Sequence, residues 1–339
     1  MSDPRAGGQE DGGAGSVVVL GATGFVGRHI CEVFDAAGWR VTGIARSVHG
    51  RSAPHELLAL DAARAEPDRV TELLADRGAR AVVNAAGAVW QATEDDMARA
   101  NTALVERLVA AAAPLGARPR LIQLGSVHEY GPVPRTGITE STPTSPVTPY
   151  GRSKLAGARA LLDAVAAGRA EGLVLRVSNV SGPGTHRASL LGTVAHHLAT
   201  RARQPLRLAP LLAHRDFVDV RDVADAALAA AHSDASGQVL NIGGGRATSV
   251  RSVVVRLTEL AGGGAEIVEA PCAGGRPPEA GWQRMDIRRA HRLLGWSPRR
   301  SLDDSLRDLL AHARTAVHRD PLSSALQVHP TTMTVSDHR

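Results

Sequence analysis

Lysine and cysteine are scarce in this sequence. The 339-residue chain has 39 lysine and arginine residues together, and Lys154 is its single lysine. The two cysteines, Cys31 and Cys272, give neither a disulfide framework nor a CxxC pair, so we expect a reducing compartment, the cytoplasm. No apolar run approaches the length of a membrane span, and no group of His, Cys and Asp has metal-ligand spacing. We therefore expect no membrane partner and no metal site.

Aromatic residues are also few, at 3% of the chain. Ala, Val and Leu must therefore fill the interior, and a hydrophobic content of 43% suffices for one large or two coupled domains. The formal net charge of +5 comes from arginines interleaved with acids along the whole chain. Such a distribution does not resemble a nucleic-acid surface, and we expect no nucleic-acid partner.

The single lysine stands four residues after one of only two tyrosines, in the stretch Tyr150-Gly-Arg-Ser-Lys154. Side chains at this spacing lie on one face of a helix, one turn apart. An ammonium beside a phenol favours the phenolate, so Lys154 should lower the pKa of Tyr150 and make it a usable proton donor and acceptor. The spacing is common by chance, but the lack of any other lysine favours a catalytic pair.

A glycine-rich turn follows the first apolar run of the chain. Ser16–Leu20 reads as a buried strand, and residues 28 to 37 read as a helix. A strand, a glycine-rich turn and a helix form the context in which the pyrophosphate of a dinucleotide is bound. The expected cofactor contacts in this turn are Gly21, Thr23, Gly24, Phe25, Val26 and Gly27.

The second strand is followed by Arg46 and Ser47, and no acid stands between Val41 and Arg51. An acid at this point binds the ribose hydroxyls of NAD, whereas an arginine accommodates the 2′-phosphate of NADP. We therefore expect NADP(H), with NAD(H) as the alternative cofactor; a solvated loop arginine is the alternative interpretation of Arg46. Further cofactor contacts are expected at strand ends and on one long helix, at Asp61, Ala85, Ala86, Gly87, Asn101 and Val177.

Strands and helices alternate through the first half of the chain, which predicts an α/β fold with a doubly wound parallel sheet. Ser126 follows a strand at its carboxyl end, where open α/β sheets place their sites. A helix cap or a turn would also explain a serine there. With Tyr150 and Lys154 it completes a candidate catalytic set, and His128 is a candidate substrate contact.

Together these motifs resemble the extended short-chain dehydrogenase/reductase superfamily, in its nucleotide-sugar epimerase/dehydratase group. The resemblance covers about residues 16 to 315. It rests on Gly21-x-x-Gly24-x-x-Gly27, Asn84-Ala-Ala-Gly87, Asn101, Gly125–Ser126 before Tyr130–Gly131, Tyr150-x-x-x-Lys154, Arg176 before Asn179, Arg215–Asp216, Asn241-Ile-Gly243 and Leu294-Gly-Trp296.

The resemblance implies a Rossmann-like cofactor domain and a smaller carboxy-terminal domain that binds a nucleotide-diphosphate sugar, in a protein that often forms a homodimer. Asn179, Arg215 and Arg276 match positions that usually hold the diphosphate. We expect an arm at 1–15 that is disordered, a cofactor domain at 16–182 to which 213–242 returns, a substrate domain from 183–212 and 243–316, and a flexible tail at 317–339.

The resemblance also implies roles for the catalytic set. Tyr150 would donate a proton, Ser126 would hydrogen-bond the carbonyl, and Lys154 would bind the nicotinamide ribose and act on Tyr150. Sugar 4,6-dehydratases of this group have Thr-Asp-Glu where this chain has Ser126-Val-His128, so we expect that no acid is available here and that no dehydration occurs.

Arg46 favours exchangeable NADPH, which a reductase needs at every turnover and an epimerase does not. We therefore predict NADPH-dependent reduction of the C4 ketone of a nucleotide-diphospho-4-keto-6-deoxy sugar, of the kind made for secondary metabolites. An NAD-dependent nucleotide-sugar 4-epimerase is the first alternative, and a non-catalytic NADP-binding protein is the second.

Overall fold

The computed structural model describes residues 15–88, 92–200, 205–271 and 281–319. A seven-stranded parallel sheet forms its centre. Its strands, numbered in chain order, are β1 (Ser16–Leu20), β2 (Arg40–Ala45), β3 (Glu56–Ala59), β4 (Ala81–Asn84), β5 (Arg120–Ser126), β6 (Glu171–Val177) and β11 (Val239–Ile242). Their spatial order is β3-β2-β1-β4-β5-β6-β11, and this sheet confirms the predicted doubly wound α/β fold.

The direction of winding reverses beside β1. From β1 the chain adds β2 and then β3 on one side, and it then crosses over to add β4, β5 and β6 on the other. Leu20 at the end of β1 is paired with Ile44 on one side and with Asn84 on the other. The switch in winding therefore lies at the carboxyl ends of β1 and β4, which is where open α/β sheets bind their ligands.

Helices cover both faces of the sheet. They are α1 (Phe25–Ala36), α2 (Pro67–Asp76), α3 (Glu94–Ala98), α4 (Leu104–Ala112), α5 (Pro149–Ala166), α6 (Leu190–Thr200), α7 (Val220–His232), α8 (Val250–Leu260), α9 (Arg288–Leu294) and α10 (Leu302–Arg319). On one face α1 and α7 bury Phe34 and Ala227 in one apolar cluster. On the other face α2, α4 and α5 bury Leu74, Leu108 and Leu161 in a second cluster.

A third apolar cluster lies away from the main sheet. Helices α6, α8 and α10 pack there around Val194, Leu257 and Leu306. Three two-stranded ladders accompany it: β7 (Asn179–Ser181) with β10 (Phe217–Asp219), β9 (His214–Arg215) with β12 (Thr248–Ser249), and β8 (Leu206–Leu208) with β13 (Ile267–Glu269). The domain boundaries given from the sequence, at 182, 212 and 242, stay a prediction.

Two helices differ from their sequence predictions near the site. Helix α1 begins at Phe25, three residues before the predicted start, so the last glycine of the turn lies inside the helix. The single helix predicted from 94 to 113 is interrupted by a π-helical turn, Arg99–Ala103. A Cβ atom at Gly157 on α5 would overlap the carbonyl oxygen of Asn101, so the missing side chain lets α5 pack directly against this turn.

The last helix extends to the end of the described residues. Helix α10 continues to Arg319, so the predicted tail from 317 begins inside a helix. Residues 1–14 and 320–339, which hold most of the predicted arm and tail, lie outside the described residues. Within the described ranges, no helix has the length and apolar character needed to cross a membrane, and no three His, Cys, Asp or Glu side chains are grouped as metal ligands would be.

Candidate active site

Tyr150 and Lys154 lie in the first turns of α5. Pro149 opens this helix, and the side chain of Thr148 caps it by accepting a hydrogen bond from the amide of Gly151 at 3.0 Å. Tyr150 is partly exposed and Lys154 is only 5% exposed, one helical turn further on. The residue types at the helix start therefore fix where the phenol enters the site.

Ser126 ends β5 and caps the short 3-10 turn Val127–Glu129. Its hydroxyl oxygen accepts a hydrogen bond from the amide of His128 at 3.2 Å, and the Ser126 side chain lies near enough to the phenol of Tyr150 to act on its pKa. The structure thus brings together two of the predicted catalytic side chains. Because the amide of His128 occupies a lone pair, the hydroxyl proton of Ser126 is left to be donated.

The pKa of Tyr150 moves in the direction opposite to the sequence prediction. Burial of the phenol raises its pKa to about 12; the hydrogen bond from Ser126 lowers it, and the carboxylate of Glu129 raises it further. Lys154 does not lower it, so that prediction is wrong. Burial also disfavours the ammonium of Lys154 and lowers its pKa to about 8, while Glu129 raises it. Tyr150 is therefore a protonated phenol, and Lys154 is mostly charged, at neutral pH.

Glu129 is an acid that the sequence prediction overlooked. We expected no acid in the loop after β5, but Glu129 directly follows His128 and is fully buried. One carboxylate oxygen accepts the amide of Ser126 at 2.8 Å, and the other accepts Nε of Arg176 at 2.6 Å. A serine with Glu three residues later is a capping-box pattern, and this signal could have identified the pair. The carboxylate is committed to these partners, so it is not a free acid for elimination.

The predicted substrate contacts lie at the same edge of the sheet. The ring of His128 meets that of Tyr150 edge-on, with centroids 5.8 Å apart. Asn179, two residues beyond β6, donates its amide to the carbonyl of Asp216 at 2.9 Å and to Oε1 of Gln283 at 2.8 Å. Sequence reasoning missed Gln283, which lies in a stretch without a recognisable motif.

Two arginines complete the predicted substrate set. A Cβ atom at Gly281 would lie 2.7 Å from a terminal nitrogen of Arg215, so that guanidinium packs along the main chain of Gly281. Arg276 lies outside the described residues. Contact of His128, Asn179, Arg215 and Arg276 with a substrate stays a prediction.

The glycine-rich turn has the geometry of a dinucleotide cradle. Gly21 has a φ of +77°, and a Cβ atom there would lie 2.8 Å from the amide of Ala86, so the loops after β1 and β4 touch. A Cβ atom at Gly27 would overlap the carbonyl oxygen of Gly21. Gly24 caps α1 without any side-chain hydrogen bond, so the first-turn amides can receive a pyrophosphate. These residues fit the bound dinucleotide.

The other predicted cofactor contacts surround this cradle. Arg46 and Ser47 are exposed at the end of β2, and Asp61 follows β3, where it lies 3.8 Å from Arg64. Val177 ends β6 in register with Ser126. Residues placed in the turn, in the loop after β4 or in the first turn of α1 are Thr23, Phe25, Val26, Ala85, Ala86 and Gly87. A Cβ atom at Gly87 would lie 4.0 Å from Nζ of Lys154, so the cradle adjoins the candidate catalytic set.

Asn101 contributes to this site by hydrogen bonds to other protein groups, in the loop after β4 and on α5. Its amide nitrogen donates to the carbonyl of Ala88 at 3.0 Å and to Oγ of Ser153 at 2.9 Å, and its oxygen accepts the amide of Ala88 at 3.1 Å. Both amide protons are therefore used within the protein. Asn101 holds the loop after β4 against α5, and its predicted contact with the cofactor stays a prediction.

The fold and this site define a dinucleotide-dependent enzyme of the Rossmann type, with the candidate catalytic residues Ser126, Tyr150 and Lys154 at one edge of its sheet. The chain belongs to the NAD dependent epimerase/dehydratase family, whose model matches residues 17–243. The predicted resemblance to extended short-chain dehydrogenases/reductases is thereby confirmed.

Three comparisons place the chain within this family. It is 43% identical over 305 residues, which are 88% of this chain and 96% of the relative, to a dTDP-6-deoxy-L-talose 4-dehydrogenase (NAD(P)(+)) of Kitasatospora kifunensis. It is 30% identical to a UDP-glucose 4-epimerase of Azospirillum brasilense, covering 88% and 92%. A solved structure of RMD from Pseudomonas aeruginosa, complexed with NADPH, superposes with a TM-score of 0.76 at 26% identity and covers 89% of this chain and 100% of that one.

Proposed function

We propose that this protein uses NADPH to reduce the C4 ketone of a nucleotide-diphospho-4-keto-6-deoxy sugar. The observation that carries the proposal is the close packing of the turn after Ser126 against the first turn of α5, which holds Tyr150 and Lys154, with Nζ of Lys154 beside Gly87 of the cradle. The relative with 43% identity is named for oxidation at C4 of a dTDP-6-deoxy sugar, and the reverse of that reaction reduces a C4 ketone. The product would serve the synthesis of secondary metabolites.

The protonation state of the site suits reduction. When bound, the dinucleotide supplies the hydride, and its pro-S hydrogen is the one that we expect to move. The phenol of Tyr150, with a pKa raised to about 12, carries the proton that a developing alkoxide needs. Ser126 donates its hydroxyl proton to the carbonyl oxygen and binds the alkoxide more strongly than the ketone. Lys154, charged below a pH of about 8, lies beside Gly87 of the cradle, where it would bind the ribose of the nicotinamide.

The substrate's diphosphate would be held by the carboxy-terminal part of the chain. Asn179 is fixed by Asp216 and Gln283. Arg215 directly precedes Asp216 in the chain, and Arg276 is a further cation. A guanidinium suits a diphosphate because it donates two parallel hydrogen bonds. We also propose that the protein acts as a homodimer in the cytoplasm.

A nucleotide-sugar 4-epimerase is the second candidate, and the 30% identity to a UDP-glucose 4-epimerase favours it. The two activities differ in their use of the cofactor. An epimerase returns the hydride to the same sugar, so its cofactor is not consumed, whereas a reductase releases one oxidised dinucleotide for each sugar. Exposed Arg46, which suits a 2′-phosphate, favours exchangeable NADPH.

The test offers NADPH and NADH, side by side, to the protein with a panel of nucleotide-diphospho-4-keto-6-deoxy sugars and follows the absorbance of the reduced nicotinamide. We expect NADPH to be oxidised in a one-to-one ratio with the sugar, and faster than NADH. Interconversion of UDP-glucose and its C4 epimer, without any net change in absorbance, would instead identify an epimerase.

Two arginine variants give this assay a matched comparison. Arg46→Ala should remove most of the preference for NADPH, because the 2′-phosphate loses a charged hydrogen-bond donor worth about 1.5–3 kcal/mol, or roughly tenfold or more in affinity. Arg69→Ala removes a guanidinium that is 70% exposed on α2, and it should leave the preference unchanged. An unchanged preference in Arg46→Ala would show that Arg46 is only a solvated loop residue.

A further inference from the structure

The fully buried carboxylate of Glu129 lies directly beneath the catalytic edge. It spans two elements, because it accepts the amide of Ser126 at 2.8 Å on β5 and Nε of Arg176 at 2.6 Å on β6. Gly125 makes room for it, since a Cβ atom there would lie 2.5 Å from Oε1 of Glu129 and 3.3 Å from Cγ of Arg176. The missing side chain at Gly125 therefore leaves the space that the carboxylate of Glu129 occupies.

Further buried contacts hold this pair rigidly. Arg176 is 5% exposed, and its guanidinium lies 4.6 Å from the centre of the Tyr130 ring. The hydroxyl of Tyr130 donates to the side-chain oxygen of Asn241 at 2.7 Å, and the main-chain amide of Asn241 donates to the carboxylate of Glu140 at 3.0 Å. The arginine and its neighbours thus hold the carboxylate of Glu129 in one position.

The charged and titratable groups around Glu129 come from four directions. Arg176 faces it from β6, Tyr130 follows it in the chain, and Tyr150 and Lys154 face it from α5. Glu140 adds a second carboxylate on the far side of Tyr130, and Arg289 lies 3.7 Å from Glu140. Among the residues that the structure describes, Glu129 is the carboxylate that acts on both Tyr150 and Lys154.

We propose that Glu129 is a positioning residue of the active site, whose clamped carboxylate fixes the main chain of Ser126 and places a negative charge near Tyr150 and Lys154. The charge favours the ammonium of Lys154, and it disfavours the phenolate of Tyr150. Both groups are therefore kept protonated until substrate arrives, which is the state that reduction requires. This last consequence rests on the proposed function, whereas the electrostatic effect on Lys154 does not.

Because Lys154 is the single lysine of the chain, its titration can be followed directly. Protein labelled with 13C-lysine should give one lysine side-chain resonance, titrating near pH 8 in the wild type. In Glu129→Gln the amide still accepts the hydrogen bond from Ser126, but the charge is gone. We expect the pKa of Lys154 to fall by roughly one pH unit, the low end of the effect of one nearby charge. An unchanged titration would overturn the proposal.

The chain supplies a matched control on the same two strands. Arg120 on β5 and Glu171 on β6 form an ion pair at the opposite end of these strands. Glu171→Gln removes the same kind of charge beyond the far end of α5, away from Lys154, and the titration of Lys154 should stay at its wild-type midpoint. An equal shift in Glu171→Gln would show a general loss of structure, and it would contradict a specific role for Glu129.

Two further measurements separate this role from folding and from the proposed function. Should Glu129→Gln unfold because Arg176 loses its partner, the double variant Glu129→Gln/Arg176→Met removes both charges, and a smaller fall for Lys154 in the same direction is expected. The second measurement is the pH dependence of kcat in Glu129→Gln, with a keto sugar that is turned over. We expect the alkaline limb of this profile to move to lower pH.

A uniform loss of rate, without a shift of the alkaline limb or of the Lys154 titration, would show that Glu129 has only a structural role. If no keto sugar is reduced, the proposed function fails while the titration still tests Glu129.

Discussion

Tyr150→Phe is expected to lower the rate of ketone reduction by roughly 10³-fold, within the range for loss of a general acid. The phenol of Tyr150 holds its proton at neutral pH, because burial raises its pKa to about 12. Phenylalanine keeps the ring that packs edge-on against His128 but has no proton to give. Steady-state kinetics and the dissociation constant for NADPH test this, and NADPH binding should stay within a few-fold of the wild type.

Tyr130→Phe is the natural control, since the chain has only two tyrosines. Tyr130 is 1% exposed, and its hydroxyl donates a hydrogen bond to Asn241 on β11. Phenylalanine keeps the ring beneath Arg176, so we expect a loss of about 1 kcal/mol in the free energy of unfolding and nearly normal turnover. A Tyr150→Phe enzyme that kept more than a tenth of the wild-type rate would refute the catalytic role of Tyr150.

Gly27→Ala is expected to disable the dinucleotide cradle. A Cβ atom at this position would overlap the carbonyl oxygen of Gly21 and lie 2.7 Å from its carbonyl carbon. Both are main-chain atoms, so the turn or α1 must shift. We expect a loss of about 1–3 kcal/mol in stability, as for an overpacked core, and NADPH binding weakened by roughly 10–100-fold. Thermal unfolding and a binding titration with NADPH measure the two effects.

Gly116→Ala controls for the general cost of replacing glycine. No atom lies within 4 Å of the position of its Cβ atom, and its φ is outside the left-handed region. Alanine there should leave NADPH binding unchanged and stability equal or slightly higher. Equal NADPH binding in the Gly27→Ala and Gly116→Ala variants would mean that the glycine-rich turn does not hold the dinucleotide.

The sheet and the cradle could be predicted because their signals are local. β1 is a short β-branched run, and the glycine spacing in the turn after it is typical of dinucleotide binding when a strand precedes the turn and a helix follows it. The pair Tyr150 and Lys154 was visible because their spacing matches one helical turn and no other lysine competes. These features depend on the identity of neighbouring residues along the chain.

What the sequence did not reveal depends on distant contacts. Glu129 was overlooked because its importance comes from Arg176, 47 residues further on. The π-helical turn at Asn101 depends on the close approach of Gly157 on α5. The predicted direction of the pKa shift of Tyr150 was wrong because burial of the phenol is the largest effect on its pKa. Residue spacing does not reveal burial.

The most direct measurement follows the hydride itself. NADPH carrying deuterium at the pro-S position is incubated with the protein and a nucleotide-diphospho-4-keto-6-deoxy sugar, and the product is examined by NMR and mass spectrometry. One deuterium at C4 of the sugar, with one oxidised dinucleotide released per product, is the predicted result. A product that carries no deuterium at C4, or an epimerised sugar formed while the NADPH stays intact, would contradict the account.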